Sequence, residues 1–343
     1  MTLNAERQAG RRRPLWSVLL VAALVSSGCR STPTDSQPAS PSSNGFDVQG
    51  HRGARGLQPE NTLPAFETAL DIGVTTLELD LHYTADGQIV IWHDPVVESD
   101  KCGLRAGAPA TVPDPDDPGS QADRAIARLT ADQINWFKCD RNPDPEGQPD
   151  QLAVATELAG NDFRIVTLIE LLEFVDSYAG SDDKTDSQRE NAARVGFNVE
   201  TKRRPDDPST IADGFDGVNA GPFELALLDL MNRFGLASRI VVQSFDHRSL
   251  WAVHAADPTV PLAALTSTGS VDLPGLAAGG ASIWSPRAST LTAPRIAEAH
   301  EAGLRVIPWT VNDPGDMATF IALGVDGIIT DRPDLLMEQV GEQ

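Results

Sequence analysis

The sequence predicts an α/β chain folded as a closed (β/α)₈ barrel, and three observations predict it. Eight short apolar runs, each ending in polar or charged residues, recur along the chain, and helical patterns lie between them. No glycine-rich dinucleotide fingerprint follows the first run, which disfavours an open doubly wound sheet. A chain of 343 residues, 41% hydrophobic and 22% charged, has room for such a unit, which takes about 250 residues.

In chain order the strand candidates are FDVQG (46–50), TTLELDLH (75–82), VGFNVETK (195–202), RIVVQSF (239–245), PLAAL (261–265), ASIWSP (281–286), LRVIPWT (304–310) and VDGIIT (325–330). A further short strand, IVIW, follows the turn at Gly87. The helix candidates between them are TLPAFETALDIG, TLIELLEFVDSY, FELALLDLMNRFG, TAPRIAEAHEAG and PGDMATFIALG; the last two close on glycine, a common helix stop. Thr62 is placed to cap the first of these helices, with Pro64 in its first turn. The segment 95–165 fits neither pattern, being rich in Pro, Asp and Gly, and reads as an irregular insertion after the second strand.

The N-terminus is of another kind. Arg11 to Arg13 precede an apolar run that ends in SSGC, so residues 1–28 are expected to be a signal peptide, too short to span a bilayer as a mature helix. Gly28-Cys29 resembles the end of a lipoprotein signal, with Ser26 where Leu is usual; Cys29 is the expected lipidation site. The Ser/Thr/Pro-rich stretch 29–45 then reads as a tether, and residues 46–340 as the barrel domain. The expected location is outside the cytoplasm, on a membrane through that lipid anchor or else secreted. With Cys29 so used, Cys102 and Cys139 remain, and in an exported protein they are expected to form a disulfide that pins the insertion.

A formal net charge of −22 excludes nucleic acid as a partner and fits a solvated acidic surface. The informative polar residues are those at the strand ends, because in such a barrel the active site forms at the C-terminal ends of the strands. His51 and Arg52 follow the first strand. Glu78 and Asp80, two apart in LELDLH, point to one side of the second strand, with Leu77, Leu79 and Leu81 on the other. Two carboxylates in a dry interior repel, so something positive must lie between them. The third strand adds Glu200 and Lys202 on a common face. Three converging carboxylates make an all-oxygen site suited to one hard divalent cation, Mg²⁺ or Ca²⁺. His93 follows the short strand IVIW, so two imidazoles reach the same mouth, one able to act as base and the other as acid. His82, two residues past Asp80, is a further candidate for lining the site, whereas His247, His254 and His300 look ordinary.

The run HRGARGLQPENTLPAFETALDIGVTTLELDLHYTADGQIVIWHDP resembles the opening of the glycerophosphodiester phosphodiesterase family, with HRG, PENT, E-x-D and HD elements in order. The likeness continues through IVTLIELLEF, NVETK, VVQSFD, VIPWTVN and GVDGIITDRP, covering nearly all of 46–336 apart from the insertion, and Ile169 stands where the family usually has an acidic residue. The resemblance implies a TIM barrel that hydrolyses glycerophosphodiesters to glycerol 3-phosphate and an alcohol with a divalent metal. By position it implies Glu78, Asp80 and Glu200 as metal ligands, His51 and His93 as catalytic histidines, and Arg52 and Lys202 as groups facing the phosphate. Gln243 and Trp309 are placed to line the pocket, Trp309 against the glycerol moiety, and Glu60 to brace the loop after the first strand. Two other readings compete: a phospholipase C- or D-type phosphodiesterase acting on lipid, and a non-catalytic binding barrel. The insertion lacks the aromatic cluster that a lipid-facing rim would need, and all five candidate acids and histidines are present.

Overall fold

The computed structural model describes residues 45–341. The signal peptide expected over 1–28, the lipidation expected at Cys29 and the tether as far as residue 44 lie outside the described residues.

Eleven strands occur among the described residues: β1 (Asp47–Gly50), β2 (Thr76–Tyr83), β3 (Ile89–Ile91), β4 (Gly103–Leu104), β5 (Phe137–Lys138), β6 (Gly196–Thr201), β7 (Ile240–Ser244), β8 (Leu262–Thr266), β9 (Ile283–Pro286), β10 (Arg305–Val306) and β11 (Gly327–Thr330). Eight of them run parallel in the order β10-β9-β8-β7-β6-β2-β1-β11, and each falls on one of the eight apolar runs. The ring closes between its two ends through backbone bonds from Asp326 to Val306 (2.9 Å), Ile329 to Pro308 (3.0 Å) and Val311 to Ile329 (3.1 Å). β3 lies off this ring, antiparallel to β2.

Alternation along each strand divides the core in two. Leu77, Leu79 and Leu81 face outward into the layer between strands and helices, with Phe66, Leu171 and Phe223. The inner layer is smaller: Val241, Ala263, Ile283, Ile307 and Ile329, with Trp309 packed on it. The expected helices form over Leu63–Ile72, Leu168–Ala179, Pro222–Arg233, Ala293–Glu301 and Pro314–Ala322. Thr62 caps the first, its hydroxyl oxygen accepting the Ala65 N–H.

The insertion is more ordered than its composition suggests. β4 and β5 pair antiparallel, and Val97, Val112, Ile126, Leu129, Ile134 and Phe137 pack with Trp92 into a separate apolar cluster. Inside that cluster Cys102 and Cys139 are joined by a disulfide across 37 residues of chain. The segment's return is tied to the first helix, where the buried Glu67 carboxylate accepts the N–H groups of Leu158 and Ala159. Leu152 donates its N–H to the Leu57 carbonyl, so the insertion also lies on the loop after β1.

Candidate active site

β1 delivers His51 and Arg52 through a turn with unusual backbone. Arg52 has φ of 51° and Gly53 φ of 85°. The glycine is required twice over: its φ is positive, and a Cβ there would meet the Ala65 backbone at 2.6 Å. A non-glycine residue held at positive φ is strain retained by its surroundings, and here Arg52 N–H donates to Glu78 Oε2 at 3.0 Å. Loop and second strand are thus locked together at the mouth of the barrel.

Glu78, Asp80 and Glu200 converge there, each offering an oxygen so that the three lie within 4.8 Å of one another, and all three residues are buried. Gln243, from the end of β7, donates Nε2–H to Glu78 Oε1 at 2.6 Å, and Asn61 donates to Asp80 Oδ2 at 2.9 Å. Lys202 Nζ sits 2.9 Å from Glu200 Oε1 and 3.3 Å from Asp80 Oδ1. Burial and the neighbouring Asp80 and Glu200 push the Glu78 carboxyl well above the usual range. Burial raises Glu200 to about 7, while Asp80 is held low against its own burial by Lys202 and Arg52. Two cations are therefore too few to keep three buried carboxylates ionised. The Gln243 Oε1 atom, buried and without a hydrogen-bond partner, adds another oxygen beside this cluster. An all-oxygen set of this kind fits a hard divalent cation. A second acidic group, Glu60 with Asp94 beside His93, is already bridged by Lys101 Nζ at 2.8 and 2.5 Å.

The two imidazoles are held alike. His51 Nδ1 lies 2.5 Å from Asp331 Oδ1, and His93 Nδ1 lies 2.8 Å from Asp94 Oδ1. A carboxylate only accepts, so Nδ1 carries the hydrogen in both and Nε2 is left for chemistry. His51 Nε2 points to the acidic cluster, 4.0 Å from Glu78 Oε2. Burial lowers both imidazole pKa values below 6.5, with the Arg52 cation adding to the effect at His51.

Arg52 donates to Glu60 at 2.8 Å and lies 3.1 Å from Asp80. Glu60 also accepts from Arg55 at 2.7 Å. It therefore gathers three cations and braces the loop after β1. A cavity of about 100 Å³ has His51, Arg52, Glu78, His93, Glu200, Lys202, Gln243 and Trp309 in its wall, so these expected residues meet in one place. Asp80 lies behind that wall, 1% exposed. Phe245, set edge-on to Trp309 at 5.4 Å, adds an apolar side.

His82 does not line the cavity. It is buried, and its Nε2–H donates to the His93 carbonyl at 3.2 Å, while Nδ1, bare in the neutral ring, has no hydrogen-bond partner. Burial lowers its pKa from 6.5 to about 4. The unfolded chain therefore takes up this proton near pH 6.5 and the folded one near 4, so stability present above 6.5 is lost as pH falls through that window, on the order of 3 kcal/mol in all. Denaturant titrations at pH 7 and 4.5 should show this loss, and His82→Gln should show a flatter dependence between the same two pH values.

Sequence reading missed Asp331, Asp94 and Arg55. Asp331 stands directly after β11, where the rule that singled out His51 and Glu200 also applies. Its carboxylate is held low against burial by His51 and Arg55, and Asn312 donates to it at 2.8 Å.

Residues 51–335 match the model of the glycerophosphoryl diester phosphodiesterase family. The chain is 25% identical to a glycerophosphodiester phosphodiesterase of Bacillus subtilis (strain 168) over 295 residues, covering 83% of each. Among solved structures it is similar to a Silicibacter pomeroyi DSS-3 protein assigned as a glycerophosphoryl diester phosphodiesterase, with a TM-score of 0.69 and 28% identity over 89% of this chain and 96% of that one. It shares its fold with an Oleispira antarctica phosphodiesterase solved with the product sn-glycerol-3-phosphate, with a TM-score of 0.61 and 18% identity over 86% and 96% of the two chains. With the family model spanning the barrel from His51 past Asp331, this chain belongs to the glycerophosphoryl diester phosphodiesterase family.

Proposed function

We propose that the protein hydrolyses glycerophosphodiesters to glycerol 3-phosphate and an alcohol, with one divalent cation, Mg²⁺ or Ca²⁺, on Glu78, Asp80 and Glu200, and with His51 and His93 moving the protons. The observation that carries this reading is the placement of two imidazoles, each with Nδ1 tied to a carboxylate and Nε2 left free, beside three buried carboxylates on one small cavity. The relatives' names and the sn-glycerol-3-phosphate in the Oleispira structure support the substrate class.

When bound, the cation supplies positive charge to the nonbridging phosphoryl oxygens. Arg52 and Lys202, both in the cavity wall, add to that field where negative charge develops. One imidazole, neutral with its hydrogen on Nδ1, takes the proton of the attacking oxygen at Nε2, while the other, protonated on both nitrogens, gives its Nε2 proton to the leaving alkoxide, so that the pair ends with as many protons as it began. The lowered pKa values keep the base in its neutral form near pH 7. Trp309 and Phe245 offer the carbon skeleton of glycerol an apolar side. At about 100 Å³ the cavity is well below the roughly 300–1,000 Å³ of sites for larger ligands, which favours a small diester over an intact lipid. Export and lipidation at Cys29 remain part of the proposal on the strength of residues 1–29 alone.

The test is release of glycerol 3-phosphate from choline, ethanolamine, glycerol and inositol glycerophosphodiesters, before chelation, after it, and with Mg²⁺ or Ca²⁺ restored. Activity should vanish with chelator and return with one of the two ions. Activity on none of the diesters, or activity indifferent to chelator, overturns the reading.

A further inference from the structure

The carboxylates that orient the two imidazoles are themselves gripped, and in each case by a residue of the 95–165 insertion. Lys101 Nζ lies 2.5 Å from Asp94 Oδ2, while the other oxygen of that carboxylate holds His93. Gln148 Nε2 donates to Asp331 Oδ2 at 2.8 Å, an oxygen that Arg55 and Asn312 also hold, while Oδ1 holds His51. Both grips are sheltered from water, with the Lys101 side chain 13% exposed and Gln148 8% exposed. They also belong to one network of alternating charge: Asp331, Arg55, Glu60, Lys101 and Asp94 follow one another, each pair 2.5 to 3.1 Å apart.

We propose that the insertion supplies two positioning residues for the reaction, Lys101 acting on His93 through Asp94 and Gln148 acting on His51 through Asp331. A carboxylate with one oxygen free to rotate fixes an imidazole poorly; binding its second oxygen fixes the plane in which the first accepts the Nδ1–H, and hence where Nε2 points. Lys101 is well placed for this. Its backbone is held by Cys102, whose disulfide partner Cys139 lies two residues before Arg141, and Arg141 N–H donates to the Lys101 carbonyl at 3.1 Å. Gln148 is held in turn, its carbonyl accepting from Asn142 at 2.8 Å and its N–H donating to the Asp144 carbonyl at 2.8 Å. The insertion is therefore built to present these two side chains, and neither touches the cavity where substrate would lie.

The inference rests on the proposed phosphodiesterase reaction, and its test is a pair of mutant cycles together with a measurement that needs no turnover. Lys101→Met should lower kcat about tenfold or more with KM little changed, and Lys101→Arg, which keeps the charge, should recover most of the loss. In a His93→Ala background the same Lys101→Met change should add less than about twofold, because the group through which it acts is gone, whereas in a His51→Ala background its cost should persist. Gln148→Leu should behave in the reverse manner, silent in His51→Ala and costly in His93→Ala, with a smaller loss than Lys101→Met because Arg55 and Asn312 still hold Asp331 Oδ2. Equal losses in both backgrounds would mark a general structural defect and overturn the proposal, as would full activity of Lys101→Met and Gln148→Leu. Imidazole ¹⁵N shifts of His93 and His51 in the unreacted protein give the second readout. They should move toward a mixed tautomer in the respective variant, and unchanged shifts in folded variants would also sink the proposal. If the parent protein released no glycerol 3-phosphate, the functional reading would fail while the shifts still decided the positioning.

Discussion

Asp80→Asn is expected to lower kcat by about 10³-fold, roughly 4 kcal/mol of barrier, and to remove tight divalent-cation binding. Asp80 is the best choice among the three acids because Lys202 and Arg52 hold its carboxyl low, whereas burial raises those of Glu78 and Glu200. It also has an oxygen to spare, since Asn61 donates to Oδ2 while Oδ1 faces only the Lys202 ammonium at 3.3 Å. Asparagine keeps the size and can still accept from Asn61, so the fold should survive and the loss should be one of charge. Calorimetric titration with Mg²⁺ or Ca²⁺ checks this independently of turnover. Cation binding as tight as in the parent would remove Asp80 from the ligand set whatever the activity did.

How much of this site could be read before the structure depends on where each residue sits. His51, Glu78, Asp80, His93 and Glu200 stand at or near the ends of apolar runs, and a polar residue in such a place is conspicuous because burial there costs free energy unless something compensates it. Asp331 stands in the same kind of place but was passed over, since one aspartate after a strand is also an ordinary helix start. The partners from loops were not legible. Nothing in the spacing of Lys101 or Gln148 says that they lie against Asp94 and Asp331, because contacts over 183 residues in the second case are set by the closed barrel and by the disulfide-linked insertion. The order of the insertion was hidden for a related reason. Val97, Val112, Ile126 and Phe137 form a cluster without any helical or strand period, so their burial shows only in three dimensions. The helices over His247–Ala256 and Leu273–Ala278 also escaped notice, the first carrying two histidines and an arginine among its ten residues and the second being only six residues long.

His51→Ala and His93→Ala should each fold and each cost about 10²-fold or more in kcat, and comparing two leaving groups should tell them apart. A choline diester departs as a poor alkoxide that needs a proton, whereas an aryl diester departs as a phenolate that needs little help. The variant lacking the acid should therefore lose much more on the choline substrate than on the aryl one, and the variant lacking the base should lose about equally on both. Geometry gives each residue a claim to one role. His51 has Nε2 near Glu78 and its Nδ1 bound to Asp331, a carboxylate that also accepts from Arg55, Gln148 and Asn312. Its imidazole is rigid and faces the acidic cluster, where a nucleophile's hydroxyl would be drawn. His93 is held by the more exposed Asp94, with side-chain exposure of 27% and 25% for the pair, on the side open to solvent where an alcohol can leave. The expected result is then a leaving-group effect confined to His93→Ala. A leaving-group effect in His51→Ala instead would exchange the two roles, and near-normal hydrolysis by either variant would remove that histidine from the reaction.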